Sequence, residues 1–172
     1  MHEYAITVIG TDRPGIIADV SAVLAGAGLN LTDSTMTLLR GHFAMTLICA
    51  GDVGVMEVEA ALEPVTMAGA LVVAVREVTT EDGARPAGGH YVLRVHGADR
   101  LGIVAAVTRA LASAGGNVTD LTTRLSGGLY VLVAEADLPP TVDIEALSAQ
   151  LREVGAGLGV EVSLSPAESD VL

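Results

Sequence analysis

The sequence predicts an α+β protein built from two copies of one βαββαβ domain. Three observations carry that expectation: residues 4–50 reappear 87 positions later, each copy switches between strand and helix spacing in the same order, and a short Gly-, Pro- and charge-rich stretch separates the copies. YAITVIGTDRPGIIADVSAVLAGAGLNLTDSTMTLLRG (4–41) aligns without a gap on YVLRVHGADRLGIVAAVTRALASAGGNVTDLTTRLSGG (91–128), and 19 of 47 positions match when the alignment runs to 50 and 137. A period of 87 is too long for a solenoid unit, so each copy reads as a complete domain. The expected division is 1–79 for the first domain, 80–89 for a linker with the boundary near residue 85, 90–165 for the second domain and 166–172 for a polar tail.

Each element follows from its spacing. Tyr4, Ile6 and Val8 alternate as one face of a strand, matched by Tyr91, Leu93 and Val95. Ile16, Ile17, Val20, Val23, Leu24 and Ala27 then recur at helical spacing, with Ile103, Val104, Val107, Leu111 and Ala114 as counterparts. Gly28 and Gly115 are helix stops. Two strands follow at about 30–39 and 42–50, joined at Arg40-Gly41; the second copy turns at Gly127-Gly128, a hairpin signal. Val55, Val58, Leu62 and Val65 mark a second helix, repeated by Ile144, Leu147, Leu151 and Val154, and Pro64 is expected to kink or close it. The last strand holds Leu71, Val73 and Val75 inward, with Val160, Val162 and Leu164 opposite number for number. That order is the ferredoxin-like split βαβ arrangement: a four-stranded antiparallel sheet with two helices on one face.

The other sheet face needs a partner. The third strands, Phe43 to Cys49 and Leu129 to Ala134, are apolar on both sides, which points to cover by a neighbouring domain or a second chain; pseudo-twofold pairing of the copies and a homodimer are both expected. Outward positions of the first and last strands are greasier in copy one (Ala5, Thr7, Ile9, Val72, Ala74) than in copy two (Val92, Arg94, His96, Glu161, Ser163), where Arg94 and Glu161 form an expected cross-strand pair.

Charge and composition narrow the function classes. Net charge is −12 and all nine basic residues are Arg. Residues 1–86 carry 4 Arg against 11 acids and residues 87–172 carry 5 against 10, so neither half offers the basic cluster a duplex binder needs. The single Cys49 sits in an apolar run as a small buried hydrophobe. No apolar stretch approaches about 18 residues and the N-terminal segment lacks a basic start before an apolar core, so a cytoplasmic protein without a membrane partner is expected. His2, His42, His90 and His96 are scattered, no Ser or Cys has a positioned base, and GTDRPG lacks the glycine spacing of nucleotide loops. An enzyme is not expected, and no cofactor or metal is called for.

The strongest local signal is GTDRPGI (10–16) and GADRLGI (97–103), each placed where the first strand gives way to the first helix. Asp12 and Asp99 are candidate N-caps, Pro14 is tolerated in the first turn, and Gly15 permits close backbone approach. Helix N–H groups in such a loop favour a carboxylate. Asn30 and Asn117 recur just after the helix stops; either they satisfy their own backbone or they hold an ammonium group. Thr32-Asp33 and Thr119-Asp120 recur as well, with strand-surface pairing as the simpler role.

DRPGI followed by a helix, then GxN and a strand, resembles the signature of ACT domains, and it occurs twice, over about 3–78 and 90–165. The second copy departs at Leu101, where the family pattern has Pro, which bears on whether both loops bind equally. The resemblance implies an amino-acid-binding regulatory module, with Asp12, Arg13, Pro14, Gly15, Ile16 and Asp99, Arg100, Leu101, Gly102, Ile103 as loop contacts. Asn30 and Asn117 would then be supplied across an interface between paired domains. A chain of two such domains looks most like the stand-alone regulators of the glycine-cleavage-system repressor group, which act by contacting a transcription regulator. The implied ligand is a small amino acid and the implied partner a protein. A detached regulatory subunit of an amino-acid-metabolism enzyme, or a ligand-free dimerisation scaffold, are the alternatives.

Overall fold

A computed structural model describes residues 1–79 and 88–167. The chain divides into two compact units, Met1–Asp82 and Gly83–Leu172, each described by itself. The expected linker, apart from Gly88 and Gly89, and the expected tail beyond Ala167 lie outside the described residues.

The first unit runs β1 (His2–Thr11), α1 (Ile16–Gly26), β2 (Asn30–Leu39), β3 (His42–Gly51), α2 (Val55–Gly69) and β4 (Val72–Val78). The second repeats it as β5 (Gly89–Ala98), α3 (Ile103–Ser113), β6 (Asn117–Ser126), β7 (Leu129–Leu138), α4 (Ile144–Leu158) and β8 (Val160–Pro166). The sheets are antiparallel with strand orders β2-β3-β1-β4 and β6-β7-β5-β8, so the βαββαβ expectation holds in both.

The alternation of β1 sets the core. Tyr4, Ile6 and Val8 are fully buried and sit in register with Cys49, Leu47 and Met45 of β3. Val20 and Leu24 of α1 and Val58, Leu62 and Val65 of α2 close over them. In the second unit Leu93, Val95, Leu132 and Ala134 meet Val107, Leu111, Leu147 and Leu151. Ile17 and Val104 are 45% and 38% exposed, against the expectation that they join the core. Each lies about 100° round the helix from the buried Ile16 or Ile103, at the edge of the stripe that Ile16, Val20 and Leu24, or Ile103, Val107 and Leu111, turn to the core.

The helix ends have separate causes. Gly28 and Gly115 take positive φ of 79° and 74°. Leu29 N–H and Gly116 N–H then bond the carbonyls of Leu24 and Leu111, while Gly28 and Gly115 bond Ala25 and Ala112, a left-handed closure that satisfies the last helix carbonyls. Asp143 caps α4, its Oδ1 accepting from Ala146 N–H at 3.0 Å, and Glu57 accepts from Gly54 N–H at 2.8 Å at the start of α2. Pro64 does not close α2, which continues to Gly69. Val65 on the following position is buried against the core, and Thr66 Oγ1 donates to Leu62 O at 3.1 Å, so packing and a side-chain bond hold the turn that the proline weakens.

Other expectations are corrected by register. Glu161 lies directly opposite His96 and pairs with it at 3.1 Å, whereas Arg94 lies opposite Ser163 and donates instead to Ser165 Oγ at 3.1 Å. Thr32 sits at a β-bulge between Leu31 and Asp33, where its hydroxyl donates to Ile48 O at 3.2 Å. Val118 and Asp120 flank the equivalent bulge.

Tyr4 donates its hydroxyl to Val53 O, and burial, with Glu77 and Glu57 adding to it, pushes its pKa above 10.0. A raised tyrosine pKa means the folded state holds the proton more tightly. The stabilisation is present below pH 10 and is lost as pH rises through the folded pKa. Tyrosinate absorbance should therefore show one tyrosine ionising late, together with unfolding, and Tyr4→Phe should remove that phase. Leu132→Ala should destabilise the second unit by about 2–5 kcal/mol in urea unfolding, as expected for truncating a fully buried leucine.

Candidate functional site

The two DR-G loops occupy the same place in each unit, between the first strand and first helix. Close packing fixes their entry. A Cβ on Gly10 would lie 2.7 Å from Leu71 Cδ2, and one on Gly97 would lie 2.9 Å from Val160 Cγ1, so the strand can pass the start of the last strand only as glycine. Asp12 N–H then donates to Gly41 O at 3.0 Å, tying the first loop to the hairpin turn between β2 and β3.

Asp12 and Asp99 do not cap the helices. Gly15 and Gly102 are the N-caps, in left-handed conformation with φ of 90° and 92°, and neither helix has a side-chain capping bond. The chain spends Arg13 and Pro14, or Arg100 and Leu101, on the turn, which carries the Asp too far upstream to reach the first helical amides. Pro14 accordingly lies one residue ahead of the N-cap rather than in the first turn. The first intrahelical bonds run from Asp19 N–H to Gly15 O and from Ala106 N–H to Gly102 O, both 2.9 Å. The amides of residues 16–18 and 103–105 thus precede the helical ladder and carry the positive end of the dipole.

Loop side chains differ between the units. Arg13 Nη2 pairs with Asp19 Oδ2 at 2.8 Å and its Nη1 donates to Pro14 O at 3.2 Å. Arg100 is exposed and Leu101 fully so. Residues 99–105 of the second loop, with Tyr130 beneath, line an open cavity of about 530 Å³. Ile16 and Ile103 are buried and anchor their loops from below.

Asn30 and Asn117 do not join the loop of their own unit. Asn30 is in register with Ala50, which is opposite Glu3, whereas Leu39 is in register with His42, which is opposite Thr11 at the loop end. Eight strand steps of about 3.4 Å separate those rows, roughly 27 Å. Asn117 pairs with Asp137 at the matching far end of the second sheet. Both asparagines are exposed on edge strands. Their separation from the loops was not legible from the spacing, because it depends on strand direction and register.

Among the described residues no group of three His, Cys, Asp or Glu side chains is placed to hold a metal, and no helix is long and apolar enough to cross a membrane. Burial raises the pKa of the Cys49 thiol.

ACT-domain family models match residues 3–73 and 91–153. A UPF0237 protein of Methanopyrus kandleri is 48% identical over 48 residues, 28% of this chain and 53% of that protein, so the chain spans about half the length of this relative. A UPF0237 protein of Methanosarcina mazei is 32% identical over 75 residues, 43% of this chain and 82% of the relative. Among solved structures, a protein of unknown function from Galdieria sulphuraria superposes with a TM-score of 0.81 at 26% identity, covering 96% of this chain and 98% of that one. A chain described as a candidate glycine cleavage system transcriptional repressor gives 0.72 at 22% identity, covering 96% and 97%. At that identity the likeness is one of fold.

Gly102→Ala should destabilise the second unit by about 1–2 kcal/mol, since no atom lies near an added Cβ but the left-handed φ remains. Urea unfolding of Gly102→Ala and Gly15→Ala measures it, and far-UV circular dichroism should show the helices retained.

Proposed function

Because the chain belongs to the ACT-domain family, with two such domains in tandem, we propose that it is a non-catalytic regulator that binds a small amino acid and conveys that state to a protein partner. The observation that carries this reading is the pair of uncapped helix N-termini in the DR-G loops. Their free amides are suited to a ligand carboxylate, and no side chain of the loop caps them. Asp12 through Ile16 and Asp99 through Ile103 are the loop contacts in this reading.

The α-ammonium group falls to Asn30 and Asn117, whose amide oxygens can accept from it. Since each lies roughly 27 Å from its own loop by the strand repeat, a complete site requires pairing of domains. We favour a homodimer joined along edge strands. β2 is an outer strand of its sheet, with Leu31, Met36 and Leu38 on its helix-facing side between 40% and 49% exposed. An antiparallel partner strand would satisfy its outer backbone groups and bring the far end of one strand beside the loop end of the other.

The net charge of −12 favours action through a protein rather than through nucleic acid. Transcriptional control and control of an amino-acid-metabolism enzyme both fit such a partner. Co-purification with a DNA-binding protein marks the first, and with an enzyme whose activity follows an amino acid the second.

Thermal unfolding with each of the twenty amino acids at millimolar concentration tests the reading. A ligand at a hundred times its Kd stabilises by about 2.7 kcal/mol. One selective rise in Tm, lost in Asn30→Ala or Asn117→Ala with the fold intact, is the expected result; no rise with any amino acid would leave a dimerisation scaffold instead.

A further inference from the structure

The two loops share Asp, Arg and Gly at equivalent positions, yet their arginines have different surroundings. In the first unit the guanidinium of Arg13 is engaged on both arms, by the Asp19 carboxylate at 2.8 Å and by the Pro14 carbonyl at 3.2 Å. Asp19 is on α1, four positions beyond the N-cap, so this carboxylate is fixed beside the loop by the helix itself. The position equivalent to Asp19, 87 residues on, is Ala106. A methyl group cannot pair with a guanidinium. Among the described residues Arg100 has no ion-pair or hydrogen-bond partner.

A further difference runs the same way. Beneath the loops, Phe43 of the first unit is buried, but Tyr130 at the equivalent position is half-buried and lines the open cavity of about 530 Å³ beside Arg100 and Gly102.

We propose that Asp19 is a built-in carboxylate that occupies the first loop's arginine, and that the second loop, opened by Ala106, is the amino-acid-responsive one. The inference rests on the amino-acid-binding reading above and decides which loop responds. The helix holds the Asp19 carboxylate beside the guanidinium, so a free amino acid has to compete with it at the first loop and meets no such competitor at the second. On sequence grounds the visible departure from the family pattern is Leu101 in the second loop. The decisive difference lies instead at Ala106, one turn into the helix.

Isothermal titration with the twenty amino acids, on the full chain, tests this through three variants. Ala106→Asp places the tethered carboxylate in the second loop, where an acid in a helix first turn is well accommodated. It should weaken amino-acid binding severalfold, as should Arg100→Gln, which removes the guanidinium without adding a charge. Asp19→Ala should raise the stoichiometry from one amino acid per chain to two. Circular dichroism verifies that each variant folds. Undiminished binding in folded Ala106→Asp, or two equivalents bound by the native chain, overturns the inference while leaving amino-acid sensing intact. A native chain that binds none of the twenty overturns both.

Discussion

Each unit depends on burying one face of a four-stranded sheet under two helices, and the central strand enforces it. Tyr4, Ile6 and Val8 in one unit, and Leu93 and Val95 in the other, lie within the core from the sheet side. Because side chains alternate along a strand, fixing these residues inward fixes the opposite set outward and sets the register of both neighbours. The last strand must then return beside the first, which brings Leu71 and Val160 so close to Gly10 and Gly97 that the strand exits permit no side chain.

That constraint also shapes the loops. After the glycine the chain has to rise from the sheet and enter a helix whose buried face begins at Ile16 or Ile103. It does so through a left-handed glycine, leaving the first helical amides without a side-chain cap. The same chain supplies caps elsewhere, by Asp143 and Glu57, so the open N-termini belong to the loop geometry rather than to a lack of capping residues. The packing that demands a sharp turn thereby produces a surface suited to an anion.

Repetition preserves this architecture while the side chains around it diverge. Core positions change between the copies, as in Ile6 to Leu93, Met45 to Leu132 and the exchange of Leu29 and Gly51 for Gly116 and Leu138, with little consequence for the fold, since the volume is shared across neighbouring positions. The sheet surfaces differ more, with Thr7 and Ile9 replaced by Arg94 and His96, and the loop arginines differ most in what surrounds them. An exposed ion pair such as Arg13–Asp19 contributes little to stability. Its presence in one copy and absence in the other therefore leaves the fold free to persist in both, while changing the chemistry a ligand meets.

The sequence by itself determined the repeat, the order of elements, the core stripes and the turns at Gly28, Gly115, Arg40-Gly41 and Gly127-Gly128, because these are written in local spacing and in residues with special backbone freedom. It also located the DR-G loops, but misjudged their caps, since the number of residues spent in the turn is set by how strand and helix pack. The reach of Pro64 was likewise decided by tertiary contacts, and the exposure of Ile17 and Val104 by where the core stripe of the helix ends. Only the register placed Asn30 and Asn117 at the far ends of their sheets, and only the folded first turn brought Asp19 onto Arg13. Local pattern specifies which element forms; the meeting of residues distant along a strand or around a helix turn depends on direction and packing, which spacing alone does not encode.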